Sequence, residues 1–164
     1  MVSCRRMIIF SAILFFFILD QSIKVIMESY LTLHSPKHIF HFFTLYLTHN
    51  TGISFSMLSN VSPTILVSIR ILIIAFIFFI WKKNPKTKSI FDIGYILITT
   101  GALGNVVDHC LYGYVIDYIM IHTQTWSFAV FNLADLFISI GTCIIIYDDI
   151  ILQHRQKGKI DFPQ

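Results

Sequence analysis

Four stretches of this chain, roughly 7–27, 64–81, 90–111 and 129–151, are apolar for long enough to cross a lipid bilayer. A span needs about 20 mostly apolar residues, because a helix rises about 1.5 Å per residue through a hydrocarbon layer about 30 Å thick. Composition agrees. The 164 residues are 55% hydrophobic and only 13% charged, with mean hydropathy +0.73. A soluble domain carries roughly a quarter charged residues. The sequence therefore predicts an all-α integral membrane protein: four transmembrane helices in a single domain over 1–164. Loop 28–62 is the one sizeable extramembrane piece. Within it residues 43–49 alternate loosely and Asn50-Thr51-Gly52 reads as a turn, so a small β element is expected there.

Orientation follows from the basic residues near the span ends. Arg5 and Arg6 precede the first span. Lys82, Lys83, Lys86 and Lys88 lie between the second and third, and Arg155, Lys157 and Lys159 follow the fourth. With four spans all nine share one side, so both termini are expected to be cytoplasmic and loop 28–62 extracytoplasmic. Tyr112, Tyr114, Tyr118 and Trp126 are then expected at the outer interface, with Trp81 and Tyr147 at the inner one. The start of the chain resembles a signal peptide, but no small-residue cleavage site follows, and residues 7–27 are read as a retained helix.

The net charge of +3 is carried by these flanks and is no sign of nucleic-acid binding. Cys4, Cys110 and Cys143 form no CxxC pair, and the seven histidines show no HExxH spacing. Neither a disulfide framework nor a metal site is expected.

Against this apolar background four aspartates stand out: Asp20, Asp108, Asp117 and Asp135. A charge at bilayer depth costs about 2.5–3.5 kcal/mol even on lenient scales. The topology puts all four toward the extracytoplasmic side, which makes them one candidate site. Asp20 and Lys24, spaced i,i+4, suit either a self-neutralising pair or one wall of that site. Asn105 precedes Asp108 by about one turn and needs hydrogen-bond partners, as a structural hub or a substrate contact. Asn132 and Asp135, spaced i,i+3, suit either helix packing or the site. Read alone, Asp117 is an ordinary solvated loop residue. Paired with Asp135 it becomes a dyad in which one carboxyl is protonated and one charged, able to activate water. Arg70 lies oddly deep in the second apolar stretch and reads as an interfacial anchor or a contact for a lipid or substrate headgroup.

Five motifs, in order, carry a resemblance. They are Asp20-Gln21-Ser22-Ile23-Lys24, Asn50-Thr51-Gly52, Gly101-Ala102-Leu103-Gly104-Asn105 running to Asp108, Val115-Ile116-Asp117-Tyr118, and Phe131-Asn132-Leu133-Ala134-Asp135. Together, over about residues 7–150, the set resembles bacterial lipoprotein signal peptidase, also called signal peptidase II. The resemblance implies an aspartic endopeptidase of the bacterial cytoplasmic (inner) membrane that removes signal peptides from prolipoproteins, cutting before a diacylglyceryl-modified cysteine. Asp117 and Asp135 would be catalytic. Asp20, Lys24, Asn50, Gly52, Asn105, Asp108, His109 and Asn132 would bind substrate or brace the site, and loop 28–62 would match the family's β-cradle. No metal or organic cofactor is implied. The expected partners are diacylglyceryl-modified prolipoproteins, membrane lipids and the cyclic-peptide inhibitor globomycin.

The chain departs from that family in two places. The position after Asp108 usually holds Arg and here holds His109, and Ile53 and Ser54 replace smaller residues after Gly52. A different class of function uses the same acids: a small proton- or ion-coupled transport subunit, which would spread them across membrane depth.

Overall fold

In a computed structural model, residues 2–52, 63–83 and 89–157 are described. Ile53, Ser54, Lys86, Lys88 and Lys159 lie outside them. The order is α1 (Val2–Tyr30), β1 (Pro36–Phe40), β2 (Phe43–Asn50), α2 (Pro63–Lys83), α3 (Ser89–Tyr112), β3 (Val115–Ile121) and α4 (Leu133–Lys157). The protein is thus mostly helical, with one small antiparallel sheet of order β1-β2-β3. Within α1, Cys4–Tyr30 is long and apolar enough to cross a membrane. Helix α3 is central and packs on α1, α2 and α4.

Burial is inverted relative to a soluble protein. Met7, Phe10 and Phe15 on α1, and Leu72 and Phe76 on α2, are exposed, while Asp20, Lys24, Asp108 and Asn132 are at most 1% exposed. Apolar faces outward and polar groups inward are what a hydrocarbon solvent selects.

Close helix approach depends on small residues. A Cβ on Gly101 would lie 2.3 Å from the Ala134 carbonyl oxygen, and one on Gly104 would lie 2.5 Å from Asp20 Oδ2. Gly101 therefore sets the α3–α4 contact, and Gly104 makes room for a carboxylate. Ala102 lines a cavity.

A chain reversal after α3 positions the sheet. Gly113 sits at φ 81° and its N–H bonds the His109 carbonyl at 3.1 Å, ending α3 with a left-handed residue that glycine adopts without strain. The chain turns straight into β3, which pairs with β2 through Thr48↔Asp117, His49↔Ile116 and Asn50↔Val115. The register shifts between Leu45 and Thr48. In this register Asn50, Val115 and Asp117 share one face. Ile116 and Tyr118 point the other way, into a core with Leu31 and Leu47.

Several sequence expectations change here. The β element is not confined to loop 28–62, because its third strand comes from beyond α3. Asp117 is not a solvated loop residue but lies 2% exposed in that strand. Tyr118 is buried rather than open to the surface. It is 3% exposed, and its hydroxyl accepts the Leu133 N–H at 3.3 Å. Helix α4 begins at Leu133, later than hydropathy suggests, and α1 runs on to Tyr30.

Gly101→Leu should remove the α3–α4 contact, since overpacking typically costs about 1–3 kcal/mol. The expected outcome is a clear drop in thermal midpoint of the detergent-solubilised protein, and an unchanged midpoint would show that the close approach does not hold the fold.

Candidate active site

The site is built from amides and charges carried by five elements. Lys24 on α1 is the node. Its ammonium meets Asp20 Oδ2 at 3.0 Å, Asp108 Oδ2 at 2.7 Å and Asn105 Oδ1 at 3.0 Å. An ammonium has three N–H donors, so all are committed. Gln21 donates to Asp108 Oδ1 at 2.9 Å and to the Gly104 carbonyl at 3.3 Å. Asp108 Oδ2 also accepts the Ile116 N–H at 3.3 Å, which ties the end of α3 to β3 one residue before Asp117.

Asp117 is held by two side-chain amides. Asn132 Nδ2 donates to its Oδ1 at 2.6 Å and Asn50 Nδ2 to its Oδ2 at 2.9 Å. Asn50 is itself oriented, because its Oδ1 accepts the Gly52 N–H at 3.0 Å in an Asx-type turn. Asp135 is held differently. Asn105 Nδ2 donates to its Oδ1 at 2.9 Å, and the Asn132 N–H reaches its Oδ2 at 3.3 Å. In return Asn132 Oδ1 accepts the Asp135 N–H at 2.9 Å. This is a reciprocal capping box, with Asp in the place more often taken by Glu. One motif thus starts α4, fixes one carboxylate and sends an amide to the other.

The two aspartates line a common cavity of about 470 Å³ with Asn50, Arg70 and Asn105. Among the described residues no hydrogen bond links Asp117 to Asp135. They still sense each other. Burial, and then the Asp135 charge, raise the Asp117 carboxyl to about 7, against the opposing pull of the Asn50 and Asn132 donors. A larger cavity of about 870 Å³ lies between α1 and α3. Its one carboxylate, Asp92, already accepts Arg5 Nε at 2.9 Å, Arg5 Nη2 at 2.7 Å and Trp81 Nε1 at 3.0 Å. The Arg5–Asp92–Trp81 cluster also brings the start of α1, the end of α2 and the start of α3 to one end of the molecule.

The structure gathers Asp20, Lys24, Asn50, Gly52, Asn105, Asp108, Asn132, Asp117 and Asp135 into one network. His109 stays outside it. Its ring is 4% exposed and joins none of the side-chain hydrogen bonds of that network. Asp20 and Lys24 do pair, but Lys24 is shared with Asp108, so the i,i+4 reading was incomplete. Sequence reasoning did not single out Gln21, although it lies inside a quoted motif. It left Arg70 open between an interfacial anchor and a contact for a lipid or substrate headgroup. Arg70 reaches inward, Nη2 donating to the Gly52 carbonyl at 3.0 Å and Nη1 to the Asn105 carbonyl at 3.4 Å.

The family model described as signal peptidase (SPase) II matches residues 12–151. The lipoprotein signal peptidase of Allorhizobium ampelinum is 42% identical over 155 residues, covering 94% of this chain and 95% of that one. That of Sinorhizobium fredii is 45% identical over 139 residues, covering 85% of this chain and 84% of that protein. A bacterial membrane enzyme solved by the in meso method at 2.3 Å resolution superposes with TM-score 0.80 and 26% identity, covering 95% of this chain and 93% of that one.

Lys24→Met should leave Asp20 and Asp108 buried without their cation. Breaking a buried pair typically costs about 3–5 kcal/mol. Chemical or thermal unfolding in detergent should show a loss of this order, and a neutral result would mean that the Lys24 ion pairs do not hold the fold.

Proposed function

Because the chain belongs to the signal peptidase II family, we propose that it is an aspartic endopeptidase that uses Asp117 and Asp135 to cut the signal peptide from bacterial prolipoproteins. The observation that carries this reading is the pair itself. Two buried carboxylates open onto one cavity, each gripped by two donors, yet they are not bonded to each other. Both side chains are oriented and neither is neutralised by a salt bridge. A water and a peptide carbonyl can enter between them.

Two carboxylates that feel each other in an apolar site share one proton. The ionised member takes a proton from water as its oxygen adds to the scissile carbonyl carbon. The protonated member hydrogen-bonds the carbonyl oxygen and stabilises its developing charge. The proton then passes to the departing amine as the C–N bond breaks. The pair acts as a unit, so its protonation belongs to the dyad rather than to either residue. Asn50, Asn105 and Asn132 hold the geometry, and Lys24 with Asp20 and Asp108 braces it.

The fold is a single membrane peptidase domain with four bilayer-crossing helices. Helices α2, α3 and α4 have 21, 24 and 25 residues. At about 1.5 Å per residue each is long enough to span. Both termini are cytoplasmic, the dyad and the sheet lie on the extracytoplasmic side, and the membrane is the bacterial inner membrane. The substrate is a signal helix whose cysteine carries a diacylglyceryl group, and it enters sideways from the lipid. Globomycin occupies the same cavity as an inhibitor. The transport reading needs acids spread across membrane depth, and the network of Asp20, Asp108, Asp117 and Asp135 gathers them at one level instead.

Cleavage of a diacylglyceryl-modified peptide in detergent tests the assignment. Asp117→Asn and Asp135→Asn should each lower kcat by at least about 10²-fold, the lower range for acid–base help, with folded, membrane-inserted protein. Near-normal cleavage by either variant would end the dyad reading. A pH profile tests the shared proton. Asp117 titrates near 7, so the pair keeps its proton below that value and loses it above. The expected kcat/KM is therefore highest below about pH 7 and falls toward tenfold per unit above it. A flat profile between pH 6 and 9 would contradict this.

A further inference from the structure

The two deep cations of the site differ in how they are used. Lys24 is spent on two carboxylates and an amide. Arg70 is not. Its two hydrogen bonds go to neutral backbone carbonyls, those of Gly52 and Asn105. A guanidinium carries five N–H donors, so three are unused among the described residues. No carboxylate lies within ion-pair distance of it among the described residues, although it lines the cavity with Asp117 and Asp135.

A permanent charge held at this depth is costly, and such residues mark functional sites by default. Tethering Gly52 alone is a weak reason for it, since an amide side chain could make the same bonds without a charge. The cavity also has a graded lining. Below Arg70 on the same helix come Ile73 and Ile77, opposed by Ile138 on α4. The space is apolar along its length and carries its cation at the end where the dyad sits. The occupant that fits is a hydrocarbon body ending in carbonyl oxygens.

We propose that Arg70 is a substrate-binding residue whose free guanidinium N–H groups receive a carbonyl oxygen of the substrate beside the dyad. The proposal rests on the peptidase reading and names one contact within it. Two parts of a lipid-modified peptide supply that chemistry: the peptide carbonyls flanking the scissile bond and the ester carbonyls of the diacylglyceryl group. Arg70 makes the contact in the ground state as well as during reaction, so its loss raises KM more than it lowers kcat.

The test uses the full-length enzyme in detergent and two substrates of one peptide sequence, one with ester-linked and one with ether-linked lipid. Arg70→Met keeps length without donors. Arg70→Lys keeps the charge without the fork and serves if the Met variant does not fold. A hydrogen bond to a charged group is worth about 1.5–3 kcal/mol, or roughly 10–150-fold. The expected result is a KM increase of this size for Arg70→Met on the ester substrate, with partial recovery in Arg70→Lys. If a lipid ester is the contact, the ether substrate binds wild type as poorly as the ester substrate binds Arg70→Met, and the mutation adds nothing. If a peptide carbonyl is the contact, both substrates lose equally. Wild-type KM in both variants would overturn the proposal, as would a fall in kcat alone with a lowered thermal midpoint, which marks a purely structural tether. The dyad reading fails differently, by activity surviving in the Asp117 and Asp135 variants.

Discussion

The bond between Lys24 and the carboxylates of Asp20 and Asp108 is the constraint on which the remaining geometry rests. All three side chains are at most 1% exposed. Desolvating such ions costs several kcal/mol each unless every donor and acceptor finds a partner. The ammonium therefore needs three acceptors, and it finds them on α1 and α3. That demand fixes the two helices against each other and requires Gly104, since a side chain there would occupy the place of the Asp20 carboxylate. Through Asp108 the constraint reaches the Ile116 N–H, and so the strand that carries Asp117.

The second organising element is the capping box of Asn132 and Asp135. A helix start leaves N–H groups without intrahelical partners, and in an apolar surround they cannot turn to water. Here the cap satisfies two of them reciprocally while its Nδ2 is left over to bind Asp117. The local requirement of starting α4 and the site requirement of orienting two carboxylates are met by the same two side chains. This is why hydropathy placed the start of the fourth span too early: residues 129–132 are apolar enough to be read as helix, but the cap begins it at Leu133.

Much of the arrangement was legible in sequence because it depends on local signals. Apolar length predicted the helices, helical spacing paired Asp20 with Lys24, and the motif resemblance put Asn105 and Asn132 at the same site. What stayed hidden is non-local. β3 is a short run whose partner strand precedes it by about seventy residues, and no periodicity in either segment announces the pairing. Asp117 and Tyr118 therefore looked like surface residues. Gln21 was invisible for another reason: next to charged Asp20 and Lys24, its amide carries no insertion cost that calls for explanation. Arg70 stayed ambiguous through its length, since a long side chain at that depth can reach either outward to the interface or inward to the carbonyls it in fact bonds.

In the proposed mechanism Asp117 and Asp135 share one proton. A cation bonded directly to Asp117 or Asp135 would fix that carboxylate as an anion and end the sharing that acid–base chemistry needs. Between Lys24 and Asp135 stands Asn105. Its Oδ1 faces the ammonium and its Nδ2 faces Asp135. The orientation is not free, because a flipped amide would turn donor toward cation and acceptor toward carboxylate. Asn105 thus passes on the polarity of Lys24 as a neutral dipole, orienting Asp135 without pairing it. Arg70 likewise makes no ion pair with either carboxylate among the described residues, two of its N–H groups going to backbone carbonyls. The dyad is surrounded by amides, with the charges one bond further out, and that separation lets burial and mutual repulsion, rather than a salt bridge, set the titration of Asp117.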